Sequence, residues 1–279
     1  MNPFTTGLVD GEARDGVSIH DRGLQYGDGL FETIAIRAGQ PLLWDRHLAR
    51  LVRGCDRLGI EPPPAQLLYE EARRLCDDMA RAVLKLTLTR GPGAGGYAPW
   101  GSGPPTRLLY LRPWPDYDAA NPQTGVDVRI CRMRLSRNRS LAGIKHLNRL
   151  EQVLARAEWQ RDFAEGLMFD DKDRLIEGTA SNIFLVSRGT LLTPDLSEAG
   201  VEGVMRESVL EYAHEAALPF EITQISRAQL DDADELFLTN SLIGIWPVRR
   251  VESKPYPIGS VTRRLQQSLE EYYCGGKAD

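Results

Sequence analysis

Alternating apolar and polar residues in the first third of the chain predict β-strands that flank two amphipathic helices. Residues 31–37 alternate and are rich in Ile and Thr, a pattern typical of a strand. The apolar positions after Asp45 recur at helical spacing as far as Leu58, so we expect Asp45 to cap a helix that Gly59 ends. A second amphipathic helix is predicted over residues 65–79. Further strands are predicted over residues 41–44, 82–90 and 106–112.

The remainder of the chain mixes strand and helix patterns. Leu147, Leu150 and Leu154 lie on one face of a helix predicted over residues 146–163. Two more helices are predicted over residues 203–217 and 258–273, and strands over residues 126–133, 166–170, 181–186, 191–192, 220–225 and 235–239. Because strands and helices do not alternate regularly, the pattern favours an α+β architecture in two lobes over a doubly wound sheet.

A proline-rich segment divides the two halves. Residues 113–125 contain three prolines, two aspartates and an asparagine, a composition typical of an interdomain linker. We therefore predict an N-terminal lobe over residues 1–115, a linker over residues 116–125 and a C-terminal lobe over residues 126–279.

The overall charge and composition narrow the class of protein. The 279 residues carry a formal net charge of -5, which argues against a nucleic-acid partner, because such proteins usually show a basic stripe. No run of ~18 apolar residues is present, so no membrane span is predicted. The N-terminal residues show no basic region followed by an apolar stretch, so we expect no signal peptide.

The cysteines and histidines give no sign of a metal site. The four cysteines form no CxxC pair, and the four histidines show no ligand spacing, so neither a disulfide framework nor a metal centre is predicted. This use of cysteine is typical of a reduced compartment, and we expect a cytoplasmic protein.

Lys145 is the first candidate for chemistry. Only five of the 34 basic residues are lysines, so the chain supplies positive charge almost always as arginine. An arginine stays protonated, whereas a lysine can lose its proton and act as a nucleophile or general base. The alternative is a lysine that serves only in a salt bridge.

Several other segments could bind an anionic ligand. The helix predicted to begin at Gly203 would expose backbone N–H groups at its start. Thr239-Asn240-Ser241, at a predicted strand end, could add polar donors. Glu177 precedes small residues that would leave room for a ligand. Ordinary turn and cap residues are the alternative in each case.

The N-terminal half contributes three further patterns. His47 and Arg50 share one helix face, and Arg50 could clamp a phosphate or pair with a surface acid. Residues 21–33 contain three glycines, which indicates close backbone approach or positive φ. The stretch from Gly91 to Gly96 matches no phosphate-loop spacing, and we interpret it as a flexible loop that could cover a site.

Taken together, these segments resemble the fold-type IV pyridoxal-phosphate enzymes. The family includes branched-chain and D-amino acid transaminases and 4-amino-4-deoxychorismate lyases. The resemblance extends from about residue 7 to residue 273, and residues 142–156 are especially similar to the lyases. It implies a two-lobed fold like that of D-amino acid aminotransferase, pyridoxal 5'-phosphate as cofactor and a homodimer.

The resemblance also implies roles for individual residues. Lys145 would hold the cofactor covalently and then serve as acid and base. Glu177 would bond the pyridine nitrogen and keep it protonated. Around the phosphate, the implied ligands are Arg50, the backbone N–H groups of Val204 and Met205, and the Ser241 hydroxyl.

Two positions depart from the family pattern. Met205 stands where the transaminases usually have Thr, so only its backbone contact would remain. Gly95 stands where many of the lyases have an arginine, which leaves the substrate-carboxylate contact unassigned. Arg90, Arg107 or a partner-subunit residue could replace it, and the other candidates for lining the substrate site are Thr33, Thr179 and Asn240.

Three functional hypotheses follow. The resemblance favours a lyase that converts 4-amino-4-deoxychorismate to 4-aminobenzoate and pyruvate, a step toward folate. A transaminase of branched-chain or D-amino acids, using the same Lys145 and Glu177, is the alternative. In a third hypothesis, the chain is a binding or scaffold protein whose glycine-rich turns are only structural.

Overall fold

The computed structural model describes residue 4, residues 7–93 and residues 95–274, with no side-chain description beyond residue 269. Within these residues the chain forms two compact units. The first, the N-terminal unit, comprises Met1–Asp116 together with Ile144–Asn148. The second, the C-terminal unit, comprises Tyr117–Gly143 and Arg149–Asp279. The predicted linker segment contains a one-turn helix, α4 (Asn121–Thr124), that belongs to the C-terminal unit.

A six-stranded sheet forms the frame of the N-terminal unit. Its strand order is β2-β1-β6-β5-β3-β4, and every neighbouring pair is antiparallel. The strands are β1 (Gly7–Val9), β2 (Glu12–Arg14), β3 (Gly29–Arg37), β4 (Gln40–Pro41), β5 (Arg81–Thr89) and β6 (Thr106–Arg112). The helices are α1 (Arg22–Tyr26), α2 (Trp44–Leu58) and α3 (Ala65–Cys76). The predicted strands over 31–37, 82–90 and 106–112 and the two long helices are thereby confirmed.

The start of α2 differs from the prediction. Leu43, in the left-handed region at φ 52°, is the N-cap residue, and no side chain caps the helix. Asp45 lies inside the first turn, where its charge still favours the positive end of the helix dipole. Gly59 ends the helix at φ 63°, as predicted.

Glycines allow the close packing expected between residues 21 and 33. Gly27 has φ 67° and ends α1. A Cβ atom at Gly29 would overlap the backbone oxygen of Leu88 on the neighbouring strand β5. Both reasons given for the glycine content, positive φ and close backbone approach, are therefore present.

A mixed sheet forms the frame of the C-terminal unit. Along the path β12-β11-β10-β14-β15-β7-β8-β9-β13 most neighbours are antiparallel, but β11 with β12, β15 with β7 and β7 with β8 are parallel. The strands are β7 (Val126–Leu135), β8 (Glu165–Asp170), β9 (Arg174–Gly178), β10 (Asn182–Ser187), β11 (Thr190–Pro194), β12 (Phe220–Thr223), β13 (Ile225–Ser226), β14 (Glu235–Asn240), β15 (Gly244–Val251) and β16 (Lys254–Pro255), which pairs with β15. The helices are α4, α5 (Leu150–Arg156), α6 (Val204–Glu215), α7 (Arg227–Asp231) and α8 (Ser260–Cys274).

Apolar residues of the central strands form the core of this unit. Phe184 on β10 and Phe237 on β14 are fully buried, and their rings stack with centroids 4.9 Å apart. Ile183, Leu185 and Leu238 lie on the other face of the same two strands and belong to a second buried apolar cluster. Strands buried on both sides explain why β10 and β14 have nearly continuous apolar sequences.

The helix predicted over residues 146–163 is much shorter in the structure. α5 covers only Leu150–Arg156, and residues 144–148 are extended instead. The backbone N–H of Phe31 donates to the Lys145 oxygen at 3.0 Å, and that of Leu147 donates to the Gly29 oxygen at 3.0 Å. These bonds to β3 replace the hydrogen bonds of a helix, so tertiary pairing overrides the helical pattern of the sequence.

In the described part of the chain, no helix combines the length and the apolar character needed to cross a bilayer.

The buried aromatic pair generates the first prediction. Phe184→Ala should destabilise the C-terminal unit by about 3–5 kcal/mol, because it leaves a cavity against Phe237. The measurement is the urea unfolding midpoint. Trp100→Ala removes an aromatic side chain that is 82% exposed, and it should leave the midpoint nearly unchanged. Equal shifts for the two variants would contradict the assignment of this core.

Candidate active site

Lys145 lies in the extended segment Ile144–Asn148 of the N-terminal unit, beside β3. β4 pairs only with Ile36 and Arg37, so the opposite end of β3 is open to this segment. Leu30 and His146 form an antiparallel bridge there. The Lys145 Nζ atom lies 4.6 Å from the centre of the Phe31 ring. The amine is therefore fixed by backbone pairing on one side and by an aromatic ring on the other.

Glu32 joins Arg50 and His47 in a buried ion cluster. The Nε atom of Arg50 donates to Glu32 Oε1 at 2.8 Å, and its Nη2 donates to Oε2 of the same carboxylate. His47 Nδ1 lies 2.6 Å from Glu32 Oε2. All three side chains are at most 5% exposed. The bidentate pair fixes the plane of the Arg50 guanidinium.

The ion cluster changes the pKa values of Glu32 and His47. Burial alone would raise the pKa of Glu32, but the charge of Arg50 and the hydrogen bonds from Arg50 and His47 outweigh it and hold that pKa well below its ordinary value. Burial lowers the pKa of His47, against the opposing effect of Glu32. His47 is therefore neutral near pH 7, with a buried Nε2 atom that has no hydrogen-bond partner in the described structure.

Thr33 and Arg90, two of the residues predicted to line the substrate site, make different hydrogen bonds in the N-terminal unit. Thr33 Oγ1 accepts a hydrogen bond from Lys85 Nζ at 2.7 Å. Arg90 donates to Asp28 at 2.8 Å and to the carbonyl oxygens of Leu58 and Gly59.

Arg107 is likewise engaged. Its Nη2 donates to Glu71 Oε1 at 2.8 Å and its Nε to Oε2 of the same carboxylate at 3.2 Å. The hydrogen bond with Glu71 raises the pKa of Arg107. These contacts pair Arg90 with Asp28 and Arg107 with Glu71, and the role of either arginine as a carboxylate ligand stays a prediction.

Part of the Gly91–Gly96 loop lies outside the described residues, because Ala94 is not described. Next to it, Arg22 donates to the carbonyl oxygens of Gly96 at 2.8 Å and Tyr97 at 3.2 Å. The role of this loop as a cover stays a prediction.

In the C-terminal unit, Glu177 lies near the end of β9, a strand that the sequence pattern missed. The side chain is 5% exposed, and its Oε2 atom accepts the backbone N–H of Val201 at 2.8 Å. Gly200, at φ 87°, brings this segment close to the carboxylate. A buried carboxylate held in this way is the kind of group that can pair with a protonated ring nitrogen.

The start of α6 is a buried helix N-terminus. Val204 and Met205 are its first two residues, both at most 2% exposed, and their N–H groups lie outside the helical ladder. No side chain caps this buried helix start. A Cβ atom at the N-cap, Gly203, would overlap Asn182 Oδ1, so only glycine fits there.

The turn after Glu177 is held by an acid that sequence reasoning missed. Glu165 accepts hydrogen bonds from the Thr179 N–H at 3.1 Å, the Thr179 hydroxyl, the Ala180 N–H at 3.1 Å and the Ser181 hydroxyl at 2.9 Å. Asn240 Nδ2 donates to the Ala180 oxygen at 2.9 Å. Thr179 and Asn240 thus meet at one turn, whereas Ser241 immediately follows Asn240 at the end of β14.

Sequence reasoning missed Glu32, Lys85 and Glu165. Lys85 could have been found by the argument used for Lys145, because it is one of the five lysines. Glu32 stands one residue after Phe31 in a strand, and only the fold reveals that it faces His47 and Arg50. In the described residues, no group of three or more His, Cys, Asp or Glu side chains is arranged to hold a metal ion.

An amine on a segment paired with β3, a buried carboxylate and an uncapped helix start are the binding groups that a phosphorylated aldehyde cofactor requires. Residues 29–251 match the amino-transferase class IV family. The chain is 35% identical to an aminodeoxychorismate lyase of Vibrio harveyi, over 94% of this chain and 98% of that protein. The chain belongs to the class IV aminotransferase family.

Two solved structures extend the comparison. The crystal structure of 4-amino-4-deoxychorismate lyase from Pseudomonas aeruginosa is 50% identical and has a TM-score of 0.91, covering 95% of this chain and 98% of that one. A branched-chain amino acid aminotransferase from Escherichia coli is 23% identical, with a TM-score of 0.83 over 96% of this chain and 94% of that one. The second likeness shows the fold alone, and together they confirm the predicted fold class.

Enzymes of this family use pyridoxal 5'-phosphate, and the residues of this chain fit that cofactor. No N-cap side chain accepts a hydrogen bond at the buried start of α6, so the backbone N–H groups there suit a phosphate. Glu177 supplies a buried carboxylate and Lys145 an amine.

The ion cluster generates the second prediction. Glu32→Gln should destabilise the protein by about 3–5 kcal/mol near pH 7, because it leaves the buried Arg50 without its counter-ion. In the wild type, a lowered pKa means that the stabilisation by Glu32 is present above its unfolded-state pKa and is lost as the pH falls toward the folded value. Urea unfolding at pH 7 and pH 4 measures both effects.

The control is Glu12→Gln, which removes an acid that is 67% exposed and paired with Arg14 on the surface. Its midpoint should change little at either pH. If Glu32→Gln behaved like this control at pH 7, the buried cluster would not contribute to stability.

Proposed function

We propose that this protein is a pyridoxal-phosphate-dependent lyase that converts 4-amino-4-deoxychorismate to 4-aminobenzoate and pyruvate, a reaction of folate biosynthesis. The observation that carries the choice of reaction is the similarity, over nearly the whole of both chains, to two proteins described as aminodeoxychorismate lyases. The aminotransferase at 23% identity supports the fold and not the reaction.

We assign the cofactor contacts as follows. Lys145 attaches the cofactor through its amine, and Glu177 bonds the pyridine nitrogen. Arg50, oriented by Glu32, binds the phosphate together with the backbone N–H groups of Val204 and Met205. The Ser241 hydroxyl adds a further donor. The bound cofactor supplies an electron sink for negative charge at the carbon that bears the amine.

Lys145 then acts as base and acid. Its Nζ atom takes the proton from the carbon bearing the substrate amine. The bond between the ring and the enolpyruvyl oxygen breaks, and the ring becomes aromatic. A proton returned to the methylene carbon of the leaving group gives pyruvate. Because aromatisation drives the reaction, the main task of the protein is to align the C–H bond with the base.

The third prediction tests this assignment. Lys145→Ala should lower the release of pyruvate by at least about 10²–10⁴-fold, because the variant lacks the acid–base group. It should also lose the covalent label that borohydride fixes on the wild-type protein loaded with cofactor, measured by peptide mass spectrometry. Lys172→Ala removes an exposed lysine and should keep both properties. Full pyruvate release by Lys145→Ala would refute the mechanism.

We further propose a homodimer. α5 presents an apolar surface, with Leu150 75%, Val153 59% and Leu154 57% exposed. Contiguous exposed apolar side chains on one short helix are typical of an interaction surface. This surface explains why the sequence pattern of the helix is apolar although the helix is not buried in its own chain.

The fourth prediction follows from this surface. Leu150→Glu should shift the protein from dimer to monomer in sedimentation equilibrium, because a charge is costly in an apolar interface. Ile222→Glu places the same charge at a residue that is 50% exposed on β12 and should leave the mass unchanged. A wild-type protein that sediments as a monomer would contradict the proposal.

We also propose a cytoplasmic location. Cys55, Cys76 and Cys131 are buried and free of disulfides, as is usual in a reducing compartment.

A further inference from the structure

Lys85 is a partly buried cation that none of the assignments above uses. It lies on β5 directly opposite Thr33 of β3, and its Nζ atom donates to Thr33 Oγ1 at 2.7 Å. The same Nζ atom lies 4.3 Å from the centre of the Phe31 ring. Phe31 and Thr33 are two residues apart on β3, so all three side chains share one face of the sheet.

The charge of Lys85 is not balanced by a carboxylate within the described residues. The other partly buried cations of this sheet have close partners: Arg90 lies 2.8 Å from Asp28, and Arg107 lies 2.8 Å from Glu71. Lys85, by contrast, contacts a neutral hydroxyl and a ring face. Glu32 attracts it from a distance, but that carboxylate is bonded to Arg50 and His47.

Burial without an ion pair gives this cation a desolvation cost that an anion could offset. Removing an ammonium group from water costs free energy that a matching negative charge recovers. Lys145 lies against the same Phe31 ring, so the two nitrogen atoms are no farther apart than the sum of their distances to its centre. An anion bound to Lys85 is thereby held close to the amine that performs the chemistry.

The pKa of Lys85 agrees with a partly buried position that lacks a carboxylate partner among the described residues. Burial lowers its pKa to about 8, helped by Arg112 on β6 and opposed by Glu32 on β3. The other titratable groups near it are Tyr110, directly across from it on β6, and Lys145. The ammonium form is present below about pH 8 and is lost as the pH rises through that value.

We propose that Lys85 binds a carboxylate of the substrate and that Thr33 positions its ammonium group. This inference rests on the proposed function, because 4-amino-4-deoxychorismate carries two carboxylates. For the contact left unassigned by Gly95, it also supplies a cation without a carboxylate partner in the described part of the chain, whereas Arg90 is paired with Asp28 and Arg107 with Glu71.

The test compares Lys85→Met and Lys85→Arg with the wild-type holoenzyme. Lys85→Met should raise KM for 4-amino-4-deoxychorismate at least about 30-fold and weaken inhibition by 4-aminobenzoate similarly, because one partner of a desolvated charge pair is lost. Inhibition by the uncharged 4-aminobenzamide should stay unchanged. Lys85→Arg should recover much of the binding, and the exposed control Lys172→Met should resemble the wild type.

The pH dependence separates a binding role from a structural one. The wild-type kcat/KM, which reports groups of the unbound enzyme, should fall as the pH rises through about 8. Lys85→Arg should lose that fall, because a guanidinium keeps its proton. Both variants should retain the borohydride-fixed cofactor on Lys145, which shows that the fold is intact.

Two results would overturn the proposal. The first is an unchanged KM in Lys85→Met, and the second is an equal loss of 4-aminobenzoate and 4-aminobenzamide binding. If the wild type makes no 4-aminobenzoate but transfers an amino group, the proposed function fails while the Lys85 site remains testable. In that case, the binding of an amino acid and of its amide is measured for the same variants. Lys85→Met should weaken the binding of the amino acid and leave that of the amide unchanged.

Discussion

The pairing of residues 144–148 with the open end of β3 is the constraint on which the candidate site depends. Two backbone hydrogen bonds, each 3.0 Å long, fix the segment on either side of Leu30 and His146. A lysine on a mobile loop would sample many positions, whereas here the backbone of Lys145 is held by β3 and its amine lies against Phe31. The same strand carries Glu32 on its opposite face, so one element orders both the amine and the residue that orients Arg50.

Buried charge is arranged differently on the two faces of the six-stranded sheet of the N-terminal unit. On the α2 face, Glu32 is bonded to Arg50 and His47, so the charges there are balanced within the fold. On the face with Phe31 and Thr33, Lys85 has no such counter-ion in the described structure. The first arrangement stabilises and orients a guanidinium, and the second leaves a cation to which a negatively charged ligand could bind.

Much of the fold could be predicted from the sequence, because strands and helices whose apolar period matches their burial are unambiguous. β6 and α2 are examples. The predicted helix over 146–163 was too long for a physical reason, since the segment before α5 pairs with β3 instead. The large apolar side chains of α5, Leu150, Val153 and Leu154, are exposed in its own chain. β15 was missed because Pro247 argues against a strand in the sequence, although a proline is tolerated where its missing N–H is not needed.

The candidate site was predictable only in part. Lys145, Glu177 and the start of α6 were found from residue types and from the family resemblance, and their individual roles stay predictions. Glu32, Lys85 and Glu165 were missed because each acts through contacts between strands or helices that are distant in sequence. Such pairs have no period and no local motif, so the partners of these residues are revealed only by the three-dimensional register, although the rarity of lysine could have drawn attention to Lys85.

The most direct test of the central claim is the product analysis of the purified holoenzyme with 4-amino-4-deoxychorismate as sole substrate. We expect 4-aminobenzoate and pyruvate in equal amounts, without any added amino acceptor. The absence of 4-aminobenzoate, together with amino transfer from an amino acid to a 2-oxo acid, would contradict the assignment of this chain as a lyase.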